Sequence, residues 1–399
     1  MRCMKGSEAN ESIPKPLKGV RVVDLTQVLA GPFCTMILAD LGADVVKIER
    51  PGRGDDARHF GPFLPSGVSI YFAGVNRGKR SVVLDLQTSD GREVLRRLVS
   101  CADVFVENLR PGALDDMGLG VEALRQANPR LIYASISGFG RTGQRAARPA
   151  YDVIAQAMSG LMSVTGEGPG QALRVGTSIS DILGGLFSVI GILAALHERH
   201  AVGEGRHVDV ALLDSTVAAM ENAIGRYTAT GDVPEPMGTR HPAITPFQAF
   251  AAQDRTFVVA AGNDRLFAAL CRVLGCEDIG EDPRFETNAS RTEHQAELET
   301  RLNAIFVADK ADAWLARLEG AGVPCAPVAS VAEVAVDAGL RERGMLHAMS
   351  DAEGGTFTTA GSPLNFDSSH VEVSSGCPGL GADTEAVLAD WLGGETALN

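Results

Sequence analysis

Short apolar runs rich in β-branched residues alternate with stretches of helical periodicity through the first third of the chain. A buried parallel strand is continuously apolar, whereas a surface helix repeats its apolar positions every three to four residues. The pattern predicts strands at Val20–Leu25, Asp44–Ile48, Ser81–Leu86, Asp103–Val106 and Leu131–Ser135, and helices at Phe33–Leu41, Ser89–Ser100 and Val121–Ala127. This alternation indicates an α/β fold whose mostly parallel sheet binds ligands at the carboxyl ends of its strands.

Further along, the pattern predicts helices from Tyr151 to His200, interrupted by a Gly- and Pro-containing loop at 165–178. The apolar run Ile182–Leu196 is shorter than the roughly 20 residues that span a bilayer, so it is predicted to be a buried helix. Prolines cluster between 234 and 246, which indicates a domain boundary. We expect a lead-in at 1–16, a large domain at 17–224, a smaller α/β domain at 225–325 and a return to the large domain at 326–399.

The net charge of the chain disfavours some classes of binding partner. With 36 Lys and Arg against 50 Asp and Glu, the net charge is −14, which disfavours nucleic acid and anionic membranes. The N-terminus lacks the apolar segment of a secretory signal, and the seven cysteines form no CxxC pair. We therefore expect a cytoplasmic protein with free thiols, without a disulfide frame or a metal site.

Two strand ends carry candidate anion-binding groups. After the first strand, Gly31 and Pro32 are predicted to open a helix, whose exposed N–H groups can hold an anion; an ordinary βα turn is the alternative. After the second strand, Arg50, Arg53 and Arg58 lie on a glycine-containing loop suited to phosphate, or form a solvated mixed-charge loop. A second basic cluster at 76–80 leaves the same two interpretations open.

Two later strand ends, Val106–Gly118 and Ser135–Gly143, also lead into glycine-containing loops that allow close approach of the backbone to a ligand. Neither contains the Gly-Lys-Ser/Thr of a Walker A loop, and the first strand is not followed by GxGxxG. A nucleotide is therefore not indicated by a standard phosphate-binding motif.

Taken together and in this order, these segments resemble the class III CoA-transferases, which include formyl-CoA, carnitine and succinyl-CoA:dicarboxylate transferases and the related α-methylacyl-CoA racemases. The resemblance runs from about Leu17 to Trp391. It rests on the segments Gly42–Arg50, Lys79–Asp85, Glu107–Ala113, Gly191–Leu196, Gly322–Pro327 and Pro378–Gly381.

The resemblance implies a large Rossmann-like α/β domain built from both chain ends, a smaller α/β domain between them, and two chains interlocked in a homodimer. It implies acyl-CoA thioesters and carboxylic acids as substrates, with no permanently bound cofactor. By motif position, the implied CoA contacts are Gln27, Val28, Leu29, Ala30, Arg50, Leu84, Asn108, Leu109 and Met117. Gln87 and Asp116 stand where some relatives carry a lysine and an arginine.

The nucleophile is where this sequence departs from the family. Relatives carry an Asp three residues after a Thr-Gly, but here that position is Pro169. Glu167 is the only carboxylate of the loop at 165–176, and we predict that it is the nucleophile. The alternatives are that Glu167 is a solvated loop residue, or that the protein binds CoA thioesters without transferring CoA.

A racemase or epimerase needs two acid–base groups, one on each face of the α-carbon of the substrate. At the positions where the related racemases carry His and Asp, this chain has Tyr151 and Asp181. An ordinary Tyr is a poor base at neutral pH, and Asp181 is alternatively interpreted as a cap of the long apolar helix. A CoA-transferase is therefore the leading interpretation.

Overall fold

The structure is a computed structural model that describes residues 15–351, 354–367 and 369–393. Its residues form two compact units. Unit 1 comprises the described residues up to Gly160, Val175–Glu221 and the described residues from Asp337 onward. Unit 2 comprises Leu161–Arg174 and Asn222–Val336. The domain boundaries expected from the sequence stay predictions.

The strands are numbered in chain order. They are β1 (Arg21–Leu25), β2 (Asp44–Glu49), β3 (Arg80–Val83), β4 (Val104–Glu107), β5 (Ile132–Ser137), β6 (His207–Ala211), β7 (Phe247–Ala251), β8 (Thr256–Ala260), β9 (Cys325–Pro327), β10 (Leu346–Ser350), β11 (Thr356–Ala360), β12 (Asn365–Phe366) and β13 (Ser369–His370). The first six belong to unit 1 and form one parallel sheet in the order β3-β2-β1-β4-β5-β6. This is the Rossmann strand order, with its reversal between β1 and β4.

The helices are numbered in the same way. They are α1 (Ala30–Asp40), α2 (Ile70–Asn76), α3 (Ser89–Ser100), α4 (Val121–Ala127), α5 (Asp152–Met158), α6 (Leu161–Val164), α7 (Ile179–Val202), α8 (Leu212–Ala218), α9 (Ala223–Thr230), α10 (Asp264–Leu274), α11 (Glu277–Gly280), α12 (Asn288–Glu293), α13 (Gln295–Phe306), α14 (Ala311–Gly320), α15 (Val331–Val334), α16 (Ala338–Glu342) and α17 (Thr384–Leu392). Short 3₁₀ helices occupy Asp56–His59 and Pro283–Phe285.

The sheet of unit 1 is buried on both faces because its strands alternate apolar side chains toward two helix layers. On one face Val22, Val104 and Ile132 pack with α1 and α7, and on the other Val23 and Phe105 pack with α3, α4 and α17. Helix α17 near the chain end packs against β3 and α3. The expected Rossmann-like domain built from both chain ends is therefore confirmed.

The long apolar run becomes α7, a helix of 24 residues. By length and composition alone it could cross a membrane, a property that core helices share. In this fold α7 packs along α1, α8, β5 and β6. Glycines make the contact close: a Cβ at Gly191 would lie 2.5 Å from Val208 and one at Gly184 would lie 2.6 Å from Leu212. This packing buries one face of α7, whereas Leu186, Phe187 and Ile190 remain exposed, so the prediction of a buried helix is correct only for that face.

Unit 2 has a core of its own. Strands β7, β8 and β9 form an antiparallel sheet, and apolar residues of α10, α13 and α14 pack with it. Phe306 is fully buried and lies in ring contact with Phe250, Phe257 and Trp314. The remaining strands pair as antiparallel ribbons of unit 1, β10 with β11 and β12 with β13.

Candidate active site

A cavity of about 290 Å³ lies in unit 1 at the carboxyl ends of β1, β2 and β3. The segment after β4 closes its remaining side, so the cavity spans the point where the strand order reverses. This is the position at which open α/β sheets bind ligands. Among the predicted CoA contacts, the cavity is lined by Gln27, Arg50, Leu84, Leu109 and Met117.

The walls of this cavity are mostly apolar. Leu84 and Leu86 face it from the end of β3, and Leu109 and Met117 from the segment after β4. Arg50 is the one basic residue among the described residues that line it. Three carboxylates also line it: Glu49 and Asp55 are paired with Arg58 and Lys47, and Asp85 is the third. The apolar walls and Arg50 suit a ligand that joins a flat ring to phosphates.

Arg50 is held at the mouth of the cavity by its own loop. Its Nη2 donates to the carbonyl oxygen of Gly54 at 3.1 Å and to the Asp56 carboxylate at 2.7 Å. The side chain is 49% exposed, so it remains accessible to an anion. Arg53, also exposed, donates from Nε to the same Asp56 carboxylate at 3.0 Å.

The other basic residues of the two predicted clusters form internal ion pairs. Arg58 pairs with the buried Glu49 at 2.6 Å. In the second cluster Arg77 pairs with Asp40 at 2.7 Å and Lys79 with Asp24 at 3.0 Å, with all four side chains buried. Carboxylates on neighbouring strands and helices neutralise these cations, so the geometry favours a structural role for the second cluster.

The four residues Gln27, Val28, Leu29 and Ala30 connect β1 to α1. Of these only Gln27 lines the cavity, and Asn108 holds its backbone: the Gln27 N–H donates to Asn108 Oδ1 and Asn108 Nδ2 donates to the Gln27 carbonyl, both at 2.8 Å. Asn108 therefore does not line the cavity itself but fixes the backbone of Gln27, which does. The helix begins at Ala30, so Gly31 and Pro32 lie in its first turn, with Pro32 as the third residue.

The segments Val106–Gly118 and Ser135–Gly143 are joined by an ion pair that the sequence did not predict. Glu107 ends β4, and its carboxylate accepts from Arg141 at 3.2 Å and from the Leu109 N–H at 2.8 Å. Burial raises the pKa of Glu107 to about 7. Arg141 also pairs with Asp115 at 2.7 Å. The contact links the segment that carries Leu109 and Met117 to the glycine-containing loop after β5.

The loop with the predicted nucleophile belongs to unit 2. Its ends are tied by a hydrogen bond from the Leu173 N–H to the Thr165 carbonyl, at 2.8 Å, and its tip by one from Gln171 N–H to Gly168, at 3.1 Å. Gly166 has φ 152°, and a Cβ there would lie 2.0 Å from the Gln171 carbonyl oxygen, so glycine is required. Glu167 is exposed, and its carboxylate has no hydrogen bond or ion pair to any described residue.

Backbone donors follow Glu167 in the loop. Within the described part of the chain, the N–H groups of Gly168 and Gly170 donate to no acceptor. Pro169 between them has no N–H to offer. Unpaired amides beside a carboxylate are the kind of group that stabilises an oxyanion.

The two positions relevant to a racemase lie in unit 1. Tyr151 is 77% exposed and immediately precedes α5. Asp181 lies in the first turn of α7, but the residue that receives N–H groups there is Asp152, whose Oδ1 accepts from Ser180 at 2.8 Å. The interpretation of Asp181 as a helix cap is therefore wrong. Burial, together with the neighbouring Asp152, raises the pKa of Asp181 to about 7.

This shift predicts a pH dependence of stability. Because the folded pKa of Asp181 lies above its ordinary value of 3.8, the folded state binds the proton more tightly, and the stabilisation is lost as pH rises toward about 7. We expect Asp181→Asn to reduce the fall in unfolding free energy between pH 5 and 8 by on the order of 1–2 kcal/mol. Urea unfolding across this range measures it, with the exposed Asp214→Asn as control; equal slopes in the protein and in Asp181→Asn would contradict the assignment.

The described His, Cys, Asp and Glu side chains do not have the arrangement that a metal ion requires. Over residues 15–351, 354–367 and 369–393, no group of three or more His, Cys, Asp or Glu residues is arranged to hold a metal ion. The described cysteines are free thiols.

Comparison with known proteins identifies the family. CoA-transferase family III matches residues 17–384. The chain is 47% identical to the acetyl-CoA:oxalate CoA-transferase of Acetobacter aceti, over 82% of this chain and 85% of that protein. It is 39% identical to the succinyl-CoA:glutarate CoA-transferase of Mus musculus, over 95% of this chain and 87% of that protein.

Solved structures agree with this result. The crystal structure of a CAIB/BAIF family protein from Brucella suis superimposes with a TM-score of 0.85 at 40% identity, covering 95% of this chain and all of that one. The cavity at the strand reversal, the family match and the named relatives lead to one conclusion. The chain is an enzyme of CoA-transferase family III.

Proposed function

We propose that the enzyme moves CoA from a small acyl-CoA, such as succinyl-CoA, to a small carboxylic acid, and that Glu167 is its nucleophile. The observation that carries the proposal is the loop at 165–174, where one exposed and unpaired carboxylate is followed in the chain by the amides of Gly168 and Gly170, which donate to no acceptor among the described residues. Relatives are named for acetyl-CoA with oxalate and for succinyl-CoA with glutarate, which supports acids of this size.

The chemistry needs a nucleophile that is also a good leaving group. A carboxylate oxygen of Glu167 attacks the thioester carbonyl and the C–S bond breaks, which gives a mixed anhydride and the CoA thiolate. The thiolate then attacks the Glu167 acyl carbon, so the donor leaves as a free carboxylate and a glutamyl-CoA thioester remains. The acceptor carboxylate repeats the two steps in reverse. No net proton, oxidant or metal is consumed.

For the CoA part of the substrate, the cavity of unit 1 offers a place for the nucleotide. Its apolar walls, Leu84, Leu109 and Met117, suit the adenine ring, and Arg50 supplies charge for the phosphates. We propose that Gln27 and the backbone of 28–30 approach the pantetheine arm. With Gln87 and Asp116 in place of basic residues, phosphate binding depends more strongly on Arg50.

The experiment is trapping of the covalent intermediate. The enzyme is incubated with succinyl-CoA or acetyl-CoA, treated with hydroxylamine, and digested for mass spectrometry, while transfer to oxalate or glutarate is followed by chromatography of the CoA esters. We expect a hydroxamate on Glu167 that disappears when acceptor acid is added before hydroxylamine.

Other outcomes separate the alternatives. A hydroxamate on Asp152 or Asp181 would reassign the nucleophile. Binding of CoA esters without a hydroxamate or transfer would indicate a binding protein. Incorporation of deuterium at the α-carbon of a 2-methylacyl-CoA in heavy water would indicate an epimerase.

We also propose that the enzyme is cytoplasmic and works as a homodimer. The described surface of α7 leaves apolar side chains exposed, with Leu186 at 40%, Phe187 at 39% and Ile190 at 60%. A row of this kind is typical of a surface that another chain covers. Sedimentation velocity at micromolar concentration is expected to show a dimer, and a monomer would contradict this part of the proposal.

A further inference from the structure

Three side chains hold three consecutive residues of the turn that leaves β1. Lys47 Nζ donates to the Thr26 carbonyl at 2.8 Å. Asn108 makes hydrogen bonds to both the N–H and the carbonyl of Gln27. The N–H of Val28 donates to Asp55 Oδ1 at 3.0 Å. The backbone beside the candidate CoA cavity is therefore held by side chains from β2, from the loop after β2 and from the segment after β4.

Val28 needs such support because its backbone is strained. Its φ is +68°, in the left-handed region that β-branched residues rarely adopt. A backbone conformation of this kind persists only when several contacts with the surrounding structure hold it in place. Asp55 is the side chain that receives the N–H of this residue.

Asp55 is itself fixed and charged. It is 1% exposed, and its carboxylate lies 2.8 Å from Lys47 Nζ, a fully buried cation. Asp55 Oδ1 also accepts from the Ala57 N–H at 2.9 Å, and the Asp55 N–H donates to Glu49 at 2.9 Å. Lys47 hydrogen-bonds to Thr26 and Asp55 hydrogen-bonds to Val28. The Lys47–Asp55 ion pair therefore fixes the backbone of the turn on both sides of Gln27.

We propose that Asp55, paired with Lys47, is a positioning residue for acyl-CoA: it keeps Val28 in the left-handed conformation and so presents Gln27 to the cavity. The inference rests on the proposed use of this cavity for CoA. Asp55 itself lines the cavity, but in this role it acts through the backbone of the turn and need not contact the reacting atoms.

The test is a double-mutant cycle read by calorimetry with CoA and by KM for acyl-CoA. Asp55→Ala is expected to weaken CoA binding about tenfold and to raise KM more than it lowers kcat, because the left-handed turn loses its acceptor. Glycine adopts this conformation without strain. In a Val28→Gly background, Asp55→Ala should therefore weaken binding by no more than about threefold.

Two further variants keep the test decisive. Asp40→Asn removes an equally buried ion pair of unit 1, with Arg77, and is expected to lower stability without changing CoA affinity. If Asp55→Ala does not fold, Asp55→Asn replaces it, since the amide oxygen still accepts from Val28 while the ion pair with Lys47 is lost. We expect about threefold weaker binding for Asp55→Asn and no loss in the Val28→Gly background.

Unchanged CoA affinity in the Asp55 variants, or an equal loss in both backgrounds, overturns the inference while leaving the proposed function intact. Absence of CoA binding by the unaltered enzyme removes the proposed function, and this inference with it.

Discussion

Glu167→Gln is expected to lower kcat for CoA transfer at least about 1000-fold, with the Kd of acyl-CoA changed by less than about twofold. An amide cannot form the mixed anhydride reversibly, so the covalent route is lost. The exposed side chain has no partner among the described residues, so the substitution removes no structural contact. Transfer from succinyl-CoA to glutarate, with parallel calorimetry, measures both quantities.

A second substitution in the same loop supplies the matched control. Pro169, two residues after Glu167, stands where the resemblance to the family implies a nucleophilic Asp. Introducing Pro169→Asp into the Glu167→Gln variant is expected to restore part of the transfer, because a carboxylate returns to the loop. Full activity of Glu167→Gln alone would show that another carboxylate is the nucleophile.

Lys79→Met is expected to lower the unfolding free energy by about 3–5 kcal/mol, since it leaves the Asp24 carboxylate buried without its nearest cation. Both side chains are fully buried, with Nζ and Oδ2 3.0 Å apart. Although burial disfavours its charge, Lys79 and Lys47 keep the pKa of Asp24 well below its usual range. Burial conversely lowers the pKa of Lys79 to about 8. Urea unfolding at pH 7 measures the loss.

An exposed ion pair provides the comparison for this experiment. Arg53 pairs with Asp56 at 3.0 Å, but the arginine side chain is 64% exposed. Arg53→Met is therefore expected to change the unfolding free energy by less than about 1 kcal/mol. If both variants unfold at the same urea concentration, burial of the Lys79–Asp24 pair is not what stabilises this part of unit 1.

Local pattern predicted five of the six strands of the sheet of unit 1, with small errors at their ends. Helix α4 was predicted with its observed ends, and so was α3, although its N-cap is Thr88, whose side chain accepts from the Gly91 N–H. The pattern alone cannot distinguish Thr88 from the neighbouring Ser89 and Asp90 as the cap, because all three residue types cap helices. Strand β6 was not predicted, because polar His207 and Asp209 alternate with its valines.

At the candidate site, too, the sequence predicted some features and could not predict others. The resemblance to CoA-transferases implied Arg50, Leu84 and Leu109 as CoA contacts, and the structure brings all three to one cavity because the carboxyl ends of parallel strands meet at one edge. The pattern could not assign partners to the charges. For the basic cluster of Arg77 and Lys79 the pattern left phosphate binding and a solvated loop open, but both side chains are buried against Asp40 and Asp24, which lie 37 and 55 residues away in the sequence.

By itself, the sequence determined the α/β class, the order of the strand-end motifs and their likeness to CoA-transferases, since these follow from local periodicity and from residues contiguous in the chain. Tertiary structure alone decided which cations stay accessible, that Asp55 and Lys47 hold the turn at Val28, and that Asp181 lies beside Asp152. The physical reason is that ion pairing, burial and pKa depend on distances between residues remote in the sequence, which periodicity does not encode.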